Sequence, residues 1–167
     1  EAPMRTKWLL PAVLALLVVA SSACTDDIKW QNKFKGIWIL QSRVLPDGKE
    51  LKPPQISGRM EWFPMDPTHA HISFLTTHDP KSVQIQGDHI TLNGITAFDR
   101  TTYMKIGGGL SQHYVEGVST EPKTTSGTIT NEGSRFTWSE GNGLTLVFEG
   151  DLLQIRHPDG TIDRSEE

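Results

Sequence analysis

One cysteine, Cys24, is all the chain has, so no intramolecular disulfide can staple its fold. An excess of either charge is also lacking. Sixteen Lys and Arg stand against 20 Asp and Glu, a net −4 that gives no electrostatic reason to bind nucleic acid or an anionic membrane face. No apolar run is long enough to cross a bilayer. The longest, WLLPAVLALLVVA at residues 8–20, would span about 20 Å as a helix where roughly 30 Å is needed. Beyond it, helical periodicity is almost absent. Also missing are the Gly-x-Ser-x-Gly elbow, the Walker loop and His-Glu-x-x-His. No spacing singles out Asp99, Glu116 or Glu140 from the other acids as a catalytic pair, and no nucleophile–base pair is identifiable. The sequence therefore predicts a protein that is not an enzyme and needs no cofactor.

What is present begins at the N-terminus. Arg5 and Lys7 precede the apolar run, and Ser21, Ser22 and Ala23 follow it. That order of cationic, apolar and small-residue regions predicts a signal peptide over 1–23, helical in its apolar part. Ser22-Ala23-Cys24 resembles the end of a bacterial lipoprotein signal, with Ser21 where that box carries Leu. The resemblance implies that Cys24 is acylated, palmitate being among the chains such anchors carry, and tethers the mature protein to a lipid bilayer. By the sorting rule of enteric lipoproteins, Thr25 after the cysteine resembles an outer-membrane address facing the periplasm of the cell envelope. The alternatives for Cys24 are a free thiol left by ordinary cleavage, or a catalytic thiol, which nothing at a frayed terminus would activate. Residues 24–33 read as a polar tether, in which Trp30 is either a membrane-interface anchor or a cap on the domain that follows.

From residue 34 to 167 the pattern is all-β. Short alternating runs are predicted at 36–44, 57–63, 70–76, 82–86, 89–93, 95–106, 112–119, 126–131, 134–139, 144–149 and 151–157. Asp47-Gly48, Asn93-Gly94, Glu132-Gly133 and Asp159-Gly160 offer the positive φ of tight hairpins. Gln86-Gly87-Asp88, the run Glu140–Gly143 and Glu149-Gly150-Asp151 read as slightly longer turns. About eight to ten strands so joined predict an antiparallel up-and-down meander, which hides its edges by closing into a barrel.

Phe34-x-Gly36-x-Trp38 opens the first strand. It resembles the first-strand signature of lipocalins, and its continuation to residue 64 looks like the bacterial lipocalin-like domains. The lipocalin Thr-Asp-Tyr loop motif is absent, which is compatible with a broader calycin-type group. The resemblance implies an eight-stranded-type barrel closed at one end by Gly36 and Trp38. It also implies a late arginine stacked on that tryptophan, for which Arg156 is the candidate. From the residues alone, Gly36 is expected to allow close backbone packing. A barrel of this size either packs solid or holds one small ligand. The inward candidates that would line such a cavity are Leu40, Met60, Trp62, Ile72, Phe74, Met104, Trp138, Leu146 and Phe148.

The leading expectation is thus a tethered binding protein for a small hydrophobic or amphipathic ligand. The alternative is a solid scaffold whose loops 46–56 and 107–127 dock an envelope protein. His69-x-His71 places two imidazoles on one strand face, with His78 and Asp79 in the next turn, a geometry that zinc or copper can use. Ala70, Ile72 and Phe74 occupy the core-like face, so these histidines are expected to point to solvent and no metal site is assigned.

Overall fold

The computed structural model describes residues 31–78, 82–111, 114–115, 118–119 and 121–167. Thirteen strands follow in chain order: β1 (Gly36–Val44), β2 (Glu50–Leu51), β3 (Ile56–Asp66), β4 (His69–His78), β5 (Ser82–Asn93), β6 (Ala97–Ser111), β7 (Tyr114–Val115), β8 (Val118–Ser119), β9 (Lys123–Glu132), β10 (Arg135–Glu140), β11 (Thr145–Glu149), β12 (Leu152–Arg156) and β13 (Ile162–Glu166). Ten of them form a closed antiparallel up-and-down barrel. Each of β1, β3–β6 and β9–β13 pairs with its successor, and β13 returns to β1, with Ile39 opposite Glu166 and Val44 opposite Ile162. The two-residue strands lie off this circuit: β2 on the end of β1, β7 on the end of β6, and β8 against Lys105 and Ile106 within β6.

The glycines that end the strands explain the meander. Gly48, Gly94, Gly133, Gly143, Gly150 and Gly160 all adopt positive φ, between 59° and 90°, the region that L-residues with a Cβ avoid. Gly87 behaves otherwise. The sequence predicts a turn there, yet β5 runs through it unbroken, and φ is not positive. The missing side chain instead leaves room for the Tyr103 ring, which lies where a Cβ would stand. A bulge between Gly87 and Asp88 accompanies this contact.

Alternation along β1 buries Trp38, Leu40 and Ser42 and leaves Ile37, Ile39 and Gln41 outside. Repeated round the barrel, this produces an aromatic plug at the end where the chain enters. Phe34 is its hub. Its ring lies 4.6 Å from Phe148, 5.1 Å from Phe136, and 5.5 Å from both Trp62 and Trp138. Aromatic pairs at such tilted and edge-on spacings contribute beyond their buried area. The lead-in belongs to this plug. Gln31 is fully buried, and its Nε2 donates to the carbonyl oxygens of Asp66 (3.0 Å) and Pro67 (2.6 Å). The ammonium of Lys33 sits 4.9 Å above the Phe136 ring. The described part of the predicted 24–33 tether is therefore folded, and Cys24 and Trp30 lie outside the described residues.

Two glycines make opposite predictions. A Cβ on Gly127 would fall 2.6 Å from Phe98 Cε1 and 2.6 Å from the carbonyl oxygen of Ser139. Backbone cannot yield there, so Gly127→Val is expected to cost about 1–3 kcal/mol by overpacking. Gly36, expected from the sequence to serve close packing, has as the nearest atoms to a Cβ those of the Glu167 side chain, which can swing away. Gly36→Ala should stay within about 0.5 kcal/mol of the parent. Urea denaturation of the two variants checks both. Equal losses would mean that Gly127 is not in tight contact.

Candidate functional site

Toward the end opposite the plug the described residues leave the interior unfilled, and its inner wall is polar. Along β6, Phe98 and Arg100 take consecutive inward positions. Arg100 then stands between two buried carboxylates from other strands. Its Nη2 donates to Glu140 Oε2 at 2.8 Å, and its Nη1 reaches Asp88 Oδ2 at 3.5 Å. Glu140 Oε2 also accepts from Thr125 Oγ1 and Asn142 Nδ2, both at 3.1 Å, and Asp88 accepts from Gln86 Nε2 at 2.9 Å. Burial pushes the Glu140 carboxyl above its ordinary range, even though Arg100, Thr125 and Asn142 pull it down. Arg100 Nε is buried without a hydrogen-bond partner.

A second ion pair flanks the first. Arg43, on β1, grips Asp163, on β13, with both forks: Nε to Oδ1 at 2.5 Å and Nη2 to Oδ2 at 2.7 Å. His157 Nε2 lies 3.0 Å from the same Oδ2. Burial pulls the Asp163 carboxyl upward. The hydrogen bonds and charges of Arg43 and His157 together outweigh it and hold the group below its usual value.

Between these pairs lies a cavity of about 350 Å³, with an apolar floor of Phe74, Leu144 and Ile155 under walls that include Thr76, Gln84, Gln86 and Asn142. It shares Gln86, Arg100, Lys105 and Asn142 with an adjoining recess of about 520 Å³ bounded by Thr102, Glu121 and Lys123. Lys105 borders both, and makes no ion pair among the described residues.

The nine sequence-predicted cavity residues divide. Phe74 lines the main cavity, and Leu40 and Met60 join it in a cleft of only about 20 Å³. Trp62, Ile72, Trp138, Leu146 and Phe148 are packed into the core around the plug. Met104 stands opposite Gly87 and lines none of the described cavities. The bulge shifts the inward position to Lys105, which no periodicity could have announced. Trp38 is buried in the plug, 5.5 Å from Phe148, with its Nε1 donating to the Phe34 carbonyl at 3.4 Å. Arg156 does not stack on it: Arg156 is exposed, its Nε bound to Gln154 Oε1.

His69 and His71 lie on the outer face, as expected from the buried Ala70 and Ile72 between and beyond them. His69 Nδ1 sits 2.9 Å from Asp66, whose carboxyl is held down to about 2, chiefly by the Thr68 amide and hydroxyl and then by His69. His71 Nε2 pairs with the Tyr103 hydroxyl. Among the described residues no group of three or more His, Cys, Asp or Glu is arranged to hold a metal ion.

Sequence reasoning missed Arg43, Asp88, Arg100, Lys105, His157 and Asp163. Their signal was present but inverted, because charged residues in an alternating strand are read as the solvent face. No protein-family model matches the chain, and no curated protein matches it either.

Proposed function

We propose that the protein is a non-enzymatic binding module of the bacterial cell envelope, acylated at Cys24, that takes a small amphipathic molecule into the mouth of its barrel. The half-packed, half-open interior carries this reading. A cavity of about 350 Å³ falls at the lower end of the range for small-molecule sites, about 300–1,000 Å³. Its floor is apolar and its walls are hydrogen-bonding. A molecule with a short apolar portion would lie on Phe74, Leu144 and Ile155, with its polar end near Lys105 and Gln86. The Phe34-x-Gly36-x-Trp38 start and the signal-like segment 1–23 before Cys24 support the same assignment of class and place.

Titration with a fluorescent short-chain carboxylate tests it. The parent should bind the probe saturably, one per chain. Thr76→Trp, which fills the cavity from its wall without entering the aromatic plug, should weaken binding at least tenfold while leaving the unfolding midpoint in place. Equal affinity of parent and variant overturns the placement of the ligand in this cavity. No saturable binding by the parent to a panel of anionic, neutral and cationic amphiphiles overturns the proposal in favour of a scaffold without a ligand.

A further inference from the structure

Among the described residues, the exposed large apolar side chains are not scattered. Met65 is 61% exposed, Leu152 56%, Ile95 52%, Ile37 48% and Phe63 46%. Ile37 is the second residue of β1, Phe63 and Met65 lie near the end of β3, Ile95 is in the turn between β5 and β6, and Leu152 begins β12. All five therefore ring the plugged end of the barrel. Ile39, 45% exposed, sits one outward position above Ile37, and Tyr103 is the exception, on the flank. Exposed apolar residues are ordinary when single and informative when gathered.

The chain itself enters at this end. Gln31 is pinned by its amide to the turn that follows Met65. Six residues lie between it and Cys24, and the seven steps from one to the other, fully extended, reach at most roughly 25 Å. On the reading that Cys24 is acylated, the plugged end cannot travel far from the bilayer. The charges beside the rim favour no anionic surface: Lys33, Lys35 and Arg135 face Asp66, Glu132, Glu149, Asp151, Glu166 and Glu167. We propose that the plugged end rests on the bilayer, with Phe63, Met65, Ile95 and Leu152 in the headgroup–acyl boundary, and that the mouth faces away from it into the aqueous compartment. The contact is apolar, added to the acyl anchor, and needs no anionic lipid.

The test uses the full acylated chain in phosphatidylcholine–phosphatidylethanolamine vesicles. Met65→Cys and Ile95→Cys carry a fluorophore, as does Asp47→Cys, in the turn at the mouth end. A lipid-borne nitroxide quencher should reduce emission from positions 65 and 95 at least twofold more than from 47, and 1 M salt should leave that difference unchanged. The mass of the N-terminal peptide is measured on the same samples. Acylated Cys24 with equal quenching at all three positions overturns the orientation alone. Unmodified Cys24 overturns the anchor and the orientation together. A blue shift at 65 and 95 that grows with protein concentration without lipid quenching assigns the rim to a second copy of the chain, and also overturns it.

Discussion

Trp62→Ala is expected to cost about 3–5 kcal/mol, the range for truncating a large aromatic in a packed core. Trp62 is fully buried, opposite Gly36 and Ile72 in the sheet. Its ring lies 4.9 Å from Trp138 and 5.5 Å from Phe34. Removing it withdraws a wall from the hub ring, and the rings against it, Phe34, Trp138 and Phe148, are rigid plates that refill the space poorly. Trp62→Phe should lose well under half as much. The Trp62 indole N–H is buried without an acceptor, so the native residue already bears a desolvation cost that phenylalanine escapes. Chemical denaturation followed by far-UV circular dichroism checks the pair. Equal losses for Ala and Phe would mean that the N–H has a partner after all, or that the ring contacts contribute little. Binding at the mouth should survive Trp62→Phe, since Trp62 lines none of the described cavities.

The plug was largely readable and the mouth was not, for a single physical reason. In the plug, inward positions are apolar: Phe136 and Trp138 alternate with polar neighbours in the period of a half-buried strand, while Trp38 between Ile37 and Ile39, and Trp62 before Phe63, stand out by their size. The mouth inverts this rule. β13 reads IDRSE and is not among the predicted strands, because its inward residues are Asp163 and Ser165 while Arg164 and Glu166 face out. Both faces are polar, so period two carries no hydropathy signal. Likewise the Gly87 stretch looked like a turn because a glycine between Gln86 and Asp88 is a turn signal locally. Only the sheet supplies Tyr103 to lie across it. The apolar rim was legible residue by residue, but its gathering at one end depends on which strand ends the closed circuit brings together.

The buried charges of the mouth give the second large effect. Arg100→Leu removes the one cation placed between Asp88 and Glu140, whose side chains are 0% and 1% exposed. Leaving buried carboxylates without their partner costs about 3–5 kcal/mol near neutral pH, more than a leucine gains by filling the space. The pH dependence fixes the cause. Burial already raises the Glu140 carboxyl above its ordinary 4.5 in the parent, and the Arg100 charge is the strongest force opposing that rise. Without Arg100 the native state holds the Glu140 proton more tightly still. A carboxyl whose value is higher folded than unfolded loses stability as pH rises from the unfolded value through the folded one. The deficit of Arg100→Leu relative to the parent should therefore be smallest near pH 4 and should grow as pH rises through the raised Glu140 value of the parent. The lowered Asp163 works in the opposite direction, losing stability as pH falls. It does so equally in parent and variant, so it cancels in their difference. Urea melts of both proteins at several values between pH 4 and 8 measure that difference. A deficit that is flat across the range would assign the loss to packing and remove the buried carboxylates from the account.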